Sequence, residues 1–134
     1  YVFFEAFSSI AKNIETCIWL YYLSFIERSF NMPYILQVDF KMDGPFGEEM
    51  STAFQDLAHS INNEEGMLWK IWTENADTKE AGGIYLFASK ESAEKYLTMH
   101  TARLTSFGIT DIRGKIFAVN ETLSTINNSP IRNK

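Results

Sequence analysis

The stretch Gly66-Met67-Leu68-Trp69-Lys70-Ile71-Trp72-Thr73-Glu74, answered by Gly82-Gly83-Ile84-Tyr85-Leu86-Phe87, decides the fold. Both runs read as strands, and the polar loop Asn75 to Ala81 between them is short enough to favour an antiparallel hairpin. Strand side chains alternate, so Trp69 and Trp72 point to opposite faces. Parity puts Trp69 with Met67 and Ile71 on the more apolar face, toward helices, and Trp72 with Lys70 and Glu74 on the other. A sheet with large apolar groups on both faces needs two covers. In a chain of 134 residues the second cover is expected to be another copy of the protein.

Working outward, Tyr34, Leu36, Val38 and Phe40 alternate with Ile35, Gln37, Asp39 and Lys41, which predicts a first strand. Asp43-Gly44-Pro45-Phe46-Gly47 breaks it, and Glu48 to Ile61 reads as a helix with Met50, Phe54, Leu57, Ala58 and Ile61 on one face. After the hairpin, Ser89 is the expected N-cap of a helix reaching about Phe107. Its inward face is Ala93, Tyr96, Leu97, His100, Leu104 and Phe107, and Gly108 stops it. A fourth strand is predicted over Thr110 to Val119. The order is β-α-β-β-α-β, an α+β ferredoxin-like arrangement with two helices on one face of an antiparallel sheet. The other face is expected to carry Trp72, Ile35 or Phe117. Beyond Asn120 only Leu123 and Ile126 look like anchors, and residues 128–134 are expected to fray.

Residues 1–31 differ in character. Nine aromatic side chains fall there, and Phe3, Phe7, Ile10, Ile14, Cys17, Tyr21 and Phe25 form a helical stripe. The uncharged run Thr16 to Ile26 is eleven residues, too short to span a bilayer, and the features of a secretory signal are missing. Three readings stay open: a helix packed on the domain, a partner-binding or interfacial helix, or upstream sequence outside the functional domain, since Met32-Pro33 resembles an ordinary protein start. The favoured reading is a helical extension that is dispensable to the core fold, with residues 32–127 as the domain.

Composition excludes several classes. The net charge is −5 with no Lys/Arg cluster, which argues against nucleic acid as the main partner. The single cysteine, Cys17, rules out an intramolecular disulfide and a cysteine-rich metal site and fits a reducing, cytoplasmic setting. His59 and His100 lack Asp or Glu at ligand spacing, so no metal site is expected. Gly82-Gly83 precedes a strand rather than a helix and is no phosphate loop.

Several separated motifs occur in order: Gly44-Pro45-Phe46-Gly47, Leu68 to Glu74, Glu80 to Phe87, His100-Thr101-Ala102-Arg103-Leu104, and Val119-Asn120-Glu121. Together they resemble the YdhR family of monooxygenases over about Met32 to Asn127, whereas residues 1–31 have no counterpart. The resemblance implies a homodimeric α/β barrel, two ferredoxin-like sheets packed face to face. It also implies kinship with small monooxygenases that oxidise phenolic or polycyclic aromatic substrates with dioxygen and no cofactor. Fold kinship alone does not transfer a reaction.

Under that implication Trp69, Phe40 and Tyr96 are the candidate substrate-binding residues. His100, on the apolar helix face, is the candidate base. Arg103, three residues on, and Tyr85 are candidate donors to a developing oxyanion; Arg103 is equally suited to an ion pair, for example with Glu74. Trp72 is the candidate dimer-interface residue. The rival readings are a non-catalytic dimer that binds an apolar small molecule, and haem degradation. The latter fits less well, since Gln37 and Asp39 stand on the first strand where that chemistry uses asparagine.

Overall fold

A computed structural model of the chain describes the backbone of residues 2–30 and 32–131, and the side chains of residues 10–26 and 32–131. The chain divides into two units, Tyr1–Asn31 and Met32–Lys134. The first is one helix, α1 (Val2–Phe30). Ile10, Ile14, Trp19, Tyr21 and Phe25 are exposed along it, while the side chains of Phe3 and Phe7 lie outside the described residues. Among the described residues, no helix is long and apolar enough to cross a membrane.

The second unit runs β1 (Tyr34–Lys41), α2 (Gly47–Ala53), α3 (Gln55–Ile61), β2 (Met67–Asn75), β3 (Glu80–Phe87), α4 (Lys90–Ser106), β4 (Arg113–Ala118) and α5 (Glu121–Ile126). The four strands form one open sheet in the order β2-β3-β1-β4, with every neighbouring pair antiparallel. That arrangement is compatible with the ferredoxin-like fold. β1 alternates as its sequence predicts: Leu36, Val38 and Phe40 are buried and Gln37 and Lys41 exposed. Those three pack with Tyr85 and Phe87 of β3, Met50 of α2, Ile61 of α3 and Ala93, Tyr96 and Leu104 of α4, so all three helices cover the same face. The Ser89 hydroxyl accepts from the Ser92 amide at 3.1 Å and caps α4.

Several expectations are corrected. The predicted helix Glu48 to Ile61 is two short helices that meet at Phe54. Phe107 turns outward and is 70% exposed. Gly82 and Gly83 lie inside β3 rather than before it. The C-terminal anchors are Val119 and Ile131, both buried, whereas Leu123 and Ile126 stand in solvent. Val119 and Ile131 pack with Leu86, Ile35, Leu68 and Trp69 on the sheet face away from α2–α4, so the chain is held down through residue 131 where fraying was expected. Residues 132–134 lie outside the described residues.

The largest correction concerns the two tryptophans. Met67 pairs with Phe87 and Trp69 with Leu86, so Met67 and Leu68 together oppose one residue of β3. This β-bulge inserts one residue and inverts the parity of everything after it. Met67 faces the helices, Leu68 and Trp69 both pack on the opposite face, and Lys70 and Trp72 face the helices. Trp69 is fixed there by its indole N–H, which donates to the Pro130 carbonyl at 2.8 Å.

Candidate functional site

A cavity of about 270 Å³ lies between the helices and the sheet. Its walls are Phe40 and Met42 from β1 and its loop, Met50, Phe54 and Leu57 from α2 and α3, Trp72 from β2, and Leu104, Phe107 and Ile109 from α4 and beyond. Phe54, at the junction of α2 and α3, stacks on Trp72 with centroids 6.2 Å apart and planes 10° off parallel. The polar groups of the lining are Lys70, Tyr85, His100 and Arg103, and no carboxylate is among them. A second depression of about 330 Å³ lies across Trp72, lined partly by Glu74. That carboxylate already accepts two bonds from the Gly47 amide, at 3.0 and 3.2 Å, and so is not the partner of Arg103.

Lys70 enters the cavity because β3 makes room for it. A Cβ on Gly83 would stand 2.8 Å from Lys70 Cε and 3.0 Å from Tyr85 Cε2, so any other residue there would push the lysine aside. The ammonium rests over the Trp72 ring, 3.2 Å from its centroid, and 4.7 Å from that of Tyr85. Burial, followed by the repulsion of Arg103, brings the Lys70 pKa down from 10.5 to about 7. At neutral pH its amine therefore exists in both protonation states.

His100 is 4% exposed. Its ring stacks on Tyr96 at 5.1 Å, and its Nε2 lies 3.4 Å from the Tyr85 hydroxyl. Tyr96 donates to the Tyr85 oxygen, also at 3.4 Å. With Tyr96 donating, the Tyr85 proton is free for His100 Nε2, which assigns the imidazole proton to Nδ1. Nδ1 has no partner among the described residues. Burial first, then the charges of Lys70 and Arg103, lowers the His100 pKa to about 4, so the ring is neutral at physiological pH and a weak base. Burial pushes both tyrosines above their ordinary value.

Arg103 donates through Nη2 to Met99 Sδ at 3.0 Å and lies 3.5 Å from Glu64 Oε1. Its Nη1 is buried with no partner among the described residues. The result is an apolar chamber with one fixed cation, one amine that titrates near neutrality and a neutral histidine–tyrosine chain.

Of the residues singled out from sequence, Phe40, Tyr85, His100 and Arg103 line this cavity. Tyr96 stands behind Tyr85 and His100 rather than in the lining. Trp69 lies on the opposite sheet face, and Trp72, expected at a dimer interface, forms part of the wall. Lys70 was missed. The available signal was Gly83, which pairs with Trp72 across the hairpin and leaves room for the neighbouring Lys70 side chain, since glycine inside a strand marks a close approach by another group. Among the described residues, no three His, Cys, Asp or Glu side chains gather where they could hold a metal ion.

A protein-family model described as "Putative mono-oxygenase ydhR" matches residues 35–130. No match was found among curated proteins.

Proposed function

The chain belongs to the YdhR mono-oxygenase family, and from that premise we propose that it oxidises a small aromatic or polycyclic substrate with dioxygen in the helix–sheet cavity, without a cofactor. The observation that carries this reading is the convergence of Lys70 and Arg103 on one otherwise apolar chamber. The substrate supplies the electrons. Lys70, as free amine, takes a proton from an acidic C–H group, and Arg103 steadies the oxyanion of the resulting enolate. The anion gives one electron to dioxygen, the radical pair combines to form a C–O bond, and the Lys70 ammonium returns its proton to the peroxide oxygen. The hydroperoxide then loses water, breaking its O–O bond and the remaining C–H bond to leave a carbonyl. One oxygen atom stays in the product and the other leaves as water. The substrate CH₂ group supplies all four electrons.

In this assignment Lys70 takes the role expected of His100, because a histidine with a pKa near 4 is a poor base. Trp72 and Phe54 replace Trp69 as the aromatic wall. His100, Tyr85 and Tyr96 set the polar end of the chamber. The test is oxygen uptake with anthrone, which should yield anthraquinone and be lost in Lys70→Met. Equal uptake by the variant, or none by the native protein, refutes the reading. Saturable binding of the same molecule without uptake would mark the chain as a non-catalytic binder of apolar molecules.

We also propose a homodimer in which the sheet faces opposite α2–α4 meet. Ile71 and Phe117 lie on that face, 52% and 49% exposed, beside half-buried Ile35 and Ile84. Exposed apolar groups of this size on one sheet face favour a partner over water.

A further inference from the structure

We propose that the cavity selects aromatic molecules bearing an anionic oxygen, a carboxylate or ionised hydroxyl, held between Lys70 and Arg103. This names the substrate class of the proposed reaction and rests on the same site. The lining holds two basic side chains and no carboxylate, in a chain whose net charge is −5. Lys70 and Arg103 are close enough for Arg103 to disfavour the lysine's charge. Two like charges facing one low-dielectric space repel, and an anion between them converts that repulsion into two attractions. Arg103 is only partly neutralised by Glu64 at 3.5 Å, and its buried Nη1 has no partner among the described residues. His100 Nδ1 is likewise buried with no partner among the described residues. The rest of the wall is apolar and aromatic, with Phe54 and Trp72 stacked as a platform for a ring. At about 270 Å³ the chamber lies just below the usual range for ligand pockets, roughly 300–1,000 Å³, which points to a small ring system such as two fused rings.

The experiment is titration calorimetry of the full chain at pH 6.5 with 2-naphthoate and its neutral counterpart 2-naphthamide. The expected result is at least about tenfold tighter binding of the naphthoate. Lys70→Met and Arg103→Gln should each remove most of that preference, and Lys70→Arg should keep it. Equal affinities in the native protein, a preference that survives both neutral substitutions, or no binding of either ligand overturns the proposal. Circular dichroism and cooperative urea unfolding show that the variants are folded; for a variant that fails this check the comparison of Lys70→Arg with the native protein decides, and loss of the preference there overturns the proposal. Oxygen uptake is a separate readout. Anion preference without uptake on any substrate removes the oxygenase reading and leaves this one, and uptake without anion preference does the reverse.

Discussion

Replacing Lys70 by methionine should stabilise the protein at mildly acidic pH, even though it removes the central charge of the site. The lysine pKa falls from 10.5 to about 7, which places a penalty of roughly 5 kcal/mol on its charged form in the folded state. The attraction of the Trp72 ring beneath the ammonium, at 3.2 Å, acts on that same charged form and belongs to this balance rather than adding to it. The expectation for Lys70→Met is a gain of up to roughly 5 kcal/mol, since methionine fills the same slot without a charge to desolvate. The sign follows from proton counting. Between about 7 and 10.5 the unfolded chain holds a proton on this group and the folded one does not, so native stability rises with pH across that window. The penalty is present in full below about pH 7 and gone above the free-lysine value. The advantage of the variant should therefore be largest at pH 6 and nearly absent at pH 10. Urea unfolding of both proteins at the two pH values measures it, with equal slopes required for the comparison. A variant less stable than the native protein at pH 6, or a gap that does not change with pH, would refute the placement of this lysine in the cavity.

His100 behaves in the same sense. Its pKa falls from 6.5 to about 4, so stability should drop by roughly 3 kcal/mol as the pH is lowered through that interval, and His100→Leu should flatten the slope in acid unfolding curves. Trp69→Phe removes the bond to the Pro130 carbonyl and should cost about 1–2 kcal/mol. It should also speed carboxypeptidase trimming past Ile131 yet leave oxygen uptake untouched; reduced uptake with unchanged trimming would put Trp69 back in the site. Ile71→Glu, on the uncovered sheet face, should shift sedimentation toward the monomer, and an unaltered dimer would exclude that face as the interface.

Local pattern made much of this fold legible, and long-range pairing hid the rest. β1 and α4 were readable because alternation in Tyr34–Lys41 and the Ser89 cap are recorded in neighbouring residues. The strand order followed from the element order and the short hairpin. The faces of β2 were not readable, because a bulge at Met67 and Leu68 leaves no mark in composition while it moves each later side chain to the other face. Strand parity put Lys70 with Trp72 and Glu74 on the face away from the helices, and the bulge together with the space at Gly83 on another strand brings it inside. His100, Arg103 and Tyr85 were legible as pocket residues from their strand and helix positions, but the protonation of His100 depends on charges that arrive from β2. The anchoring of Ile131 depends on Leu86 and Trp69, far away in sequence, so a polar tail gave no hint of it.

The bulge at Met67 and Leu68 acts as a phase selector for the edge strand. With it, Lys70 and Trp72 face the chamber; paired without it from Met67 onward, the same nine residues would present Trp69, Ile71 and Thr73. Deleting Leu68 would close the bulge and leave Trp69 opposite Leu86, whereas keeping all nine residues in an unbulged ladder would turn Lys70 onto the exposed apolar face. The chemistry of the chamber is set by where the chain miscounts against its neighbour as much as by which residues it contains. A relative with one residue fewer before Trp69 would lose the bulge and keep Lys70 and Trp72 on the same face.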